Sequence, residues 1–469
     1  MPLVGFAIRS SRVVLREHDK LVIVPARIHV QGAQITAVER GAQLPALAGE
    51  LDMGERLISP AFVNAHTHLS LSFLRGVSAS STRHNLVEDV YFAFEQKLGP
   101  EDIRAFARMG AYESLLHGVG FVWDHYYGET AVADALLDTG LAGATAPTLQ
   151  DLAGPGRLDS EAALEATLQI AGSARYAHAG VFAALGPHAT DTVSPGLFRK
   201  VADLAAQHQL PVHLHVAQSY DELLRAETRE GRSPLALLSR DGILARAPRV
   251  LMAHALFAHE ADLAALDSTR HTLVFCPSSQ MQFGFPAAVP LWSELGCSWL
   301  VATDCASSND SMNLQKELRL CAGAATAMVT GSMAYARFLE FGGVQQAGDA
   351  WQRRRENAAM FAPHVTTERL LARVWHEAGE LHPAQKVGVI EAGALANLTV
   401  WDTDHPAFWP QLDLLRALAL GDTTQAIHAL FVAGKQVGEA GNFVRSMTSS
   451  DNYREARREA EQRLTKLLS

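Results

Sequence analysis

Cysteine is scarce in this chain: four residues in 469, Cys276, Cys297, Cys305 and Cys321. They are too few and too C-terminal for a disulfide framework, and read as reduced thiols in a cytoplasmic protein. Basic charge is also short. Forty Lys and Arg stand against fifty Asp and Glu, a net charge of -10. With no Lys/Arg run, a nucleic-acid or lipid-headgroup footprint is excluded. No stretch of about 20 apolar residues is free of charge, so no membrane-spanning helix is expected. Arg9, Arg12 and Arg16 interrupt the apolar start, which leaves no clean core for a secretion signal. Disorder is excluded in turn by an apolar content of 48%.

Histidine is abundant, with twenty residues. It is the commonest metal ligand and the commonest acid/base group, so the question of function starts there. Their placement follows from the chain's organisation. Residues 1–59 and 385–446 carry short β-branched runs separated by turn residues, such as KLVIVPARIHVQG and NLTVWD. Between them lie eight apolar runs of strand length, at 57–65, 120–124, 141–149, 180–186, 210–216, 249–256, 272–277 and 298–304. Most are followed by segments with apolar residues at i, i+3, i+4 spacing. Near-continuous apolar strands alternating with amphipathic helices predict a parallel sheet covered on both faces, and eight units predict a closed (β/α)8 TIM barrel. A doubly wound open sheet is disfavoured, because no GxGxxG follows the first strand. The expected domains are a small β-sandwich built from both chain ends (1–59 and 385–446), a barrel over 60–384 and a C-terminal helix over 447–469.

Barrel enzymes build their sites at the C-terminal ends of the strands. Six of the eight runs end in or just before His or Asp: His66 and His68, Asp124 and His125, His188, His213 and His215, His254, and Asp304. His66 and His68 are two apart, so on a strand they point to the same side and can chelate one ion. A third histidine and one carboxylate would complete a His3Asp shell. That set suits zinc or an iron-like divalent ion better than Mg2+ or Ca2+. His213 and His215 share a face, and either could supply the third imidazole; His215 lies nearer the strand end.

Taken in order, Pro60-Ala61-Phe62-Val63-Asn64-Ala65-His66-Thr67-His68, Pro187-His188, His213-Leu214-His215, His254, ATDCASSND (302–310) and ANLTVWDTDHP (396–406) resemble the amidohydrolase superfamily. The resemblance is to the branch of atrazine chlorohydrolase and the S-adenosylhomocysteine, guanine and cytosine deaminases. It covers nearly the whole chain. It implies one divalent metal, zinc or iron, held by His66, His68, His215 and Asp304. No Lys ends the fourth strand run, which argues for a single ion. His254 would bond the attacking water or the substrate, Asp304 would accept the water's proton and return it to the leaving nitrogen, and His188 would face the substrate. The implied activity is hydrolysis of a non-peptide carbon–nitrogen bond of a small molecule by a metal-activated hydroxide. The alternatives are deamination, or chlorohydrolase-type displacement, on a purine, pterin or triazine ring. Relatives are commonly dimers.

Two departures stand out. Deaminases of this branch carry a Glu three residues after the strand-5 histidine, and here that residue is Gln218. An amide cannot shuttle a proton, so Gln218 is expected to bind substrate. Glu222, one helical turn on, could reach back. After the seventh strand, Cys276-Pro277-Ser278-Ser279-Gln280 replaces an Asn-Pro-x-Ser-Asn pattern. His125 is expected to line the pocket or pack behind it. His84, His117, His178, His208, His259, His271 and His376 are expected at the surface. Phe283, Phe285 and Trp292 could form an aromatic wall for a planar ring. The competing class is a metal-binding relative without catalysis, motivated by the missing Glu.

Overall fold

The computed structural model describes residues 5–18, 20–77, 85–283 and 287–469. His84 and Phe285 lie outside the described residues, as does the side chain of Phe283. No described helix is long and apolar enough to cross a membrane.

Among the described residues two ladders make up the barrel. The first is β6 (Phe62–Thr67), β7 (Val119–Tyr126), β8 (Ala142–Pro147) and β9 (Val181–Ala183). The second is β10 (Val212–Val216), β11 (Val250–His254), β12 (His271–Phe275) and β13 (Ser298–Val301). All pairings within them are parallel. Single parallel bridges join the ladders, Leu185 to Val212 on one side and Thr67 to Asp304 on the other. The eight strands thus close in sequence order, as the alternation predicts. Their residues are almost all buried because the outer faces carry helices and the inner faces fill the barrel.

The small β unit is one continuous sheet. Its strands are β1 (Gly5–Glu17), β2 (Lys20–Gln31), β3 (Gln34–Arg40), β4 (Leu51–Asp52), β5 (Leu57–Pro60), β14 (Leu398–Trp401), β15 (Ile427–Val432) and β16 (Lys435–Val437). Their order is β16-β15-β14-β5-β1-β2-β3, with β4 beside β1. A bulge between Ser10 and Val13 lets β1 change partners: Ile8 and Arg9 pair with β4, Arg12 and Val13 with β5. The sheet curls onto itself, because Phe6 of β1 stacks on Phe431 of β15 at 5.4 Å although two strands lie between theirs. Between its faces sits a separate core that includes Ile8, Ile28, Ile58, Leu398 and Phe431.

Two placements differ from expectation. Trp292 is fully buried in the barrel core and forms no pocket wall. His271, expected at the surface, opens β12 and is 4% exposed. Its ring joins the Asp267 amide at 3.0 Å to the Leu244 carbonyl at 2.8 Å, which gives a buried imidazole two fixed partners. The C-terminal helix Asp451–Leu468 packs on the helix Pro100–Leu116, where Arg463 pairs with Asp102 at 3.0 Å.

The helix Pro100–Leu116 also fixes the turn Leu69–Leu74 that leaves the His66/His68 strand. Contact is close at Gly110, where a Cβ would fall inside the van der Waals radius of the Leu69 carbonyl oxygen. Elsewhere in a helix Gly→Ala gains about 1 kcal/mol of propensity. Here overpacking against backbone, typically about 1–3 kcal/mol, outweighs it. Gly110→Ala should therefore lower the thermal unfolding midpoint; an unchanged or raised midpoint would contradict the close approach.

Candidate active site

Strand parity builds the site. On β6, His66 and His68 both turn into the barrel mouth, and on β10 His213 and His215 do the same one layer apart. His254 ends β11 and Asp304 follows β13. Both hold positive φ, 76° and 58°, a conformation that costs a non-glycine residue about 1–2 kcal/mol. Such strain at a strand end is typical of residues aimed by function rather than by propensity.

Each ligand-like imidazole is oriented through Nδ1 by a different neighbour. His68 Nδ1 donates to the His125 carbonyl and His215 Nδ1 to the His188 carbonyl at 3.2 Å. His66 Nδ1 lies 2.8 Å from Nε2 of His213, which is thus the deeper support and not part of the cluster. A carbonyl can only accept, so in the neutral ring Nε2 of His68 and of His215 holds the lone pair. These two atoms stand 3.2 Å apart. His66 Nε2 is buried without a hydrogen bond, 3.7 Å from Asp304 Oδ1, which is also 3.4 Å from His68 Nε2. Burial, reinforced by the neighbouring imidazoles, pushes His66 and His215 well below the usual histidine range, so both are neutral. Converging lone pairs beside a carboxylate need a cation between them. The ligand atoms of His66, His68 and His215 lie within 4.8 Å of one another, as do those of His66, His254 and Asp304, and such imidazole and carboxylate donors fit a divalent ion of the zinc type.

Asp304 is itself held. Ser279 Oγ donates to its Oδ2 at 2.5 Å, Ser308 Oγ to the same atom at 3.3 Å, and the Cys305 amide to Oδ1 at 2.8 Å. His254 Nε2 lies 3.9 Å from Oδ2, and its carbonyl accepts from Gln280 Nε2 at 3.3 Å. Ser279 and Gln280 after β12 therefore position both residues. Burial lowers the His254 pKa against the opposing pull of Asp304.

A chamber of about 40 Å³ lies over this cluster, lined by His68, His215, His254, Asp304, Gln218 and aromatic side chains. A wider cavity of about 470 Å³ adjoins it, and the two share Val87, Phe92, His188 and Gln218. His188 faces both, its Nδ1 tied to Thr192 Oγ1 at 2.8 Å. The His125 ring instead packs behind His215 and bonds Thr148 at 3.0 Å; its carbonyl, not its imidazole, serves the site. Glu222 is fully buried and faces neither cavity. It accepts from Thr190 Oγ1 at 2.6 Å and from the Gln218 amide at 2.8 Å, and so clamps the loop after β10 to the loop after β9. Burial, with Asp191 adding to it, lifts its carboxyl to about 7. The aromatic lining is Tyr91, Phe92, Tyr126 and Tyr127, and one further carboxyl, Glu95, opens into the inner chamber. These five escaped the motif search. Only the fold brings the 87–95 stretch over the barrel mouth.

The family model described as the amidohydrolase family matches residues 57–342. A 5-methylthioadenosine/S-adenosylhomocysteine deaminase of Aquifex aeolicus is 27% identical over 416 residues, 88% of this chain and 89% of that protein. The solved structure of an adenosine deaminase from Xanthomonas campestris with bound zinc superposes with a TM-score of 0.79 at 21% identity, covering 98% of both chains. An atrazine chlorohydrolase from Arthrobacter aurescens complexed with zinc gives 0.76 at 20% identity, covering 99% of this chain and 100% of that one.

The clamp yields a test independent of catalysis. Glu222→Ala leaves the Gln218 amide and Thr190 hydroxyl without their acceptor. At about 1–3 kcal/mol per orphaned group, it should lower the unfolding midpoint and speed proteolysis in the loop that follows β10. An undiminished midpoint would show that the clamp carries no load.

Proposed function

The chain belongs to the amidohydrolase family of metal-dependent hydrolases, and from that premise we propose that it hydrolyses a carbon–nitrogen bond of a small nitrogen heterocycle, with zinc held by His66, His68, His215 and Asp304. The observation that carries the reading is the pair of Nε2 atoms 3.2 Å apart, both with their Nδ1 hydrogens spent on backbone carbonyls. A divalent ion bound there would supply Lewis acidity and lower the pKa of the attacking water.

The chain's own residues do the rest. Asp304 accepts a proton from the attacking water and later gives it to the departing amine. His254 stabilises the charge that develops as the attacked carbon becomes tetrahedral. The cavity of about 470 Å³ suits a nucleoside-sized ligand, and the shared wall of Phe92, His188 and Gln218 would seat its ring over the inner chamber. The Gln218 amide can donate to and accept from such a ring but cannot exchange a proton with it. The names of the relatives favour removal of an exocyclic amine over ring opening.

The reading includes a cytoplasmic homodimer. Four free thiols support the compartment. Exposed Leu339, Phe341, Val344 and Trp351, on the helices Met333–Phe341 and Val344–Phe361, support self-association.

Metal analysis and ammonia release test the proposal, with aminopurine nucleosides, aminotriazines and lactams as substrates. The expected result is about one zinc per chain, as a four-residue donor set requires, with metal and turnover both lost in His66→Ala. Asp304→Asn should cost at least about a hundredfold in turnover. Metal and activity retained in His66→Ala would overturn the ligand set. Zinc bound without turnover of any panel member would favour the non-catalytic reading.

A further inference from the structure

We propose that Glu95 is the carboxyl that exchanges protons with the substrate's ring nitrogen, a catalytic role that Gln218 leaves vacant. The inference rests on the hydrolase reading above. Of the described residues lining the inner chamber, two carry carboxyls, Asp304 and Glu95. Asp304 is engaged on both oxygens by Ser279, Ser308 and the Cys305 amide. Glu95 has one tie, to the Tyr126 hydroxyl. It ends the short helix Phe92–Glu95, and Val87, Tyr91, Phe92 and Glu95, at helical spacing, all face the chamber.

The carboxyl is 8% exposed, and among the described residues no cation acts on it; the polar group that does is the Tyr126 hydroxyl. A buried carboxyl that faces a chamber with a neutral hydroxyl as partner and no counter-charge is costly, and proteins seldom keep one for packing. Burial lifts it to about 8, so it holds its proton at neutral pH and can give it up to a base. Glu95 on its helix and Gln218 on the loop after β10 line the same small chamber from separate elements.

The step balances as follows for an amino-heterocycle. As the water oxygen bonds to the ring carbon, Asp304 takes one proton from that water, and Glu95 gives its own to the adjacent ring nitrogen. The carbon–nitrogen bond to the amine then breaks, and Asp304 returns its proton to make ammonia. The second proton, on the added hydroxyl, passes to the Glu95 carboxylate as the carbonyl forms. Both carboxyls regain their starting states.

The test measures ammonia release from an aminopurine nucleoside by zinc-loaded full-length protein. Glu95→Gln keeps shape and neutrality, so folding and zinc content should hold. Its kcat should fall by about 10²–10⁴-fold, with KM within about threefold. Adding Gln218→Glu in that background should recover at least about tenfold of kcat, because a carboxyl again reaches the ring. A structural role for Glu95 would not be rescued by a carboxyl at position 218. The inference is overturned if Glu95→Gln leaves kcat intact, if it raises KM alone, or if Gln218→Glu restores nothing. No wild-type turnover at full zinc loading would bring down the hydrolase reading together with this inference, whereas wild-type turnover with an undisturbed Glu95→Gln brings down this inference alone.

Discussion

The hydrogen bond from the Asp304 amide to the His66 carbonyl, at 3.1 Å, is the contact on which the rest of the molecule depends. It closes the barrel between its first and last strands. Beside it, Asn64 and Thr303 exchange two hydrogen bonds, at 2.7 and 3.2 Å, buried from solvent. Because the seam joins backbone to backbone, the carboxylate of one strand is docked against the imidazoles of another with no flexible element between them. Barrel closure and site assembly are one event. Loss of the seam would both open an eight-stranded ring and separate the anion from the histidines.

The second constraint is electrostatic. His66, His68, His125, His188, His213, His215 and His254 crowd into a low-dielectric mouth, with neighbouring ring centroids about 5–6 Å apart. Protonating His66, His125, His188, His213 or His215 is opposed both by desolvation and by neighbouring rings. A neutral ring must spend its one hydrogen somewhere. A carbonyl of β7, one after β9 and a deeper imidazole absorb those of His68, His215 and His66. The lone pairs are thereby pooled at one point. Support from two backbone carbonyls and a buried ring ties that point to the barrel itself.

This hierarchy explains how far the sequence could be read. Parity alone aligned His66 with His68 and His213 with His215, and the alternation of strands and helices gave the barrel. What parity cannot supply is depth, so the division of labour between His213 and His215 rested on nearness to the strand end, and the structure separates them by a layer. Glu222 sits one turn from Gln218 in the chain but points to Thr190, a contact set by how two loops meet. His125 follows a strand and still contributes by its carbonyl, which no side-chain pattern records. Glu95 and Tyr126 meet only through folding, since a helix after β6 must cross to the end of β7 to bring them together.

The small sheet holds a consequence for the birth of the molecule. β5 stands between β1 and β14, and its partner residues join Pro60 to Leu398 and Ile58 to Val400. On a ribosome, the first strands emerge long before the last. One flank of β5 therefore waits, unpaired, while the entire barrel is synthesised, and β1 to β3 form a curled half-sheet whose core lacks Leu398, Val400 and Phe431 until the end. Long-range pairing of this kind makes assembly slow and leaves an open strand edge meanwhile. β14 and β15 follow the whole barrel segment in the chain, so their pairing fastens the two flanks of that segment together like a latch.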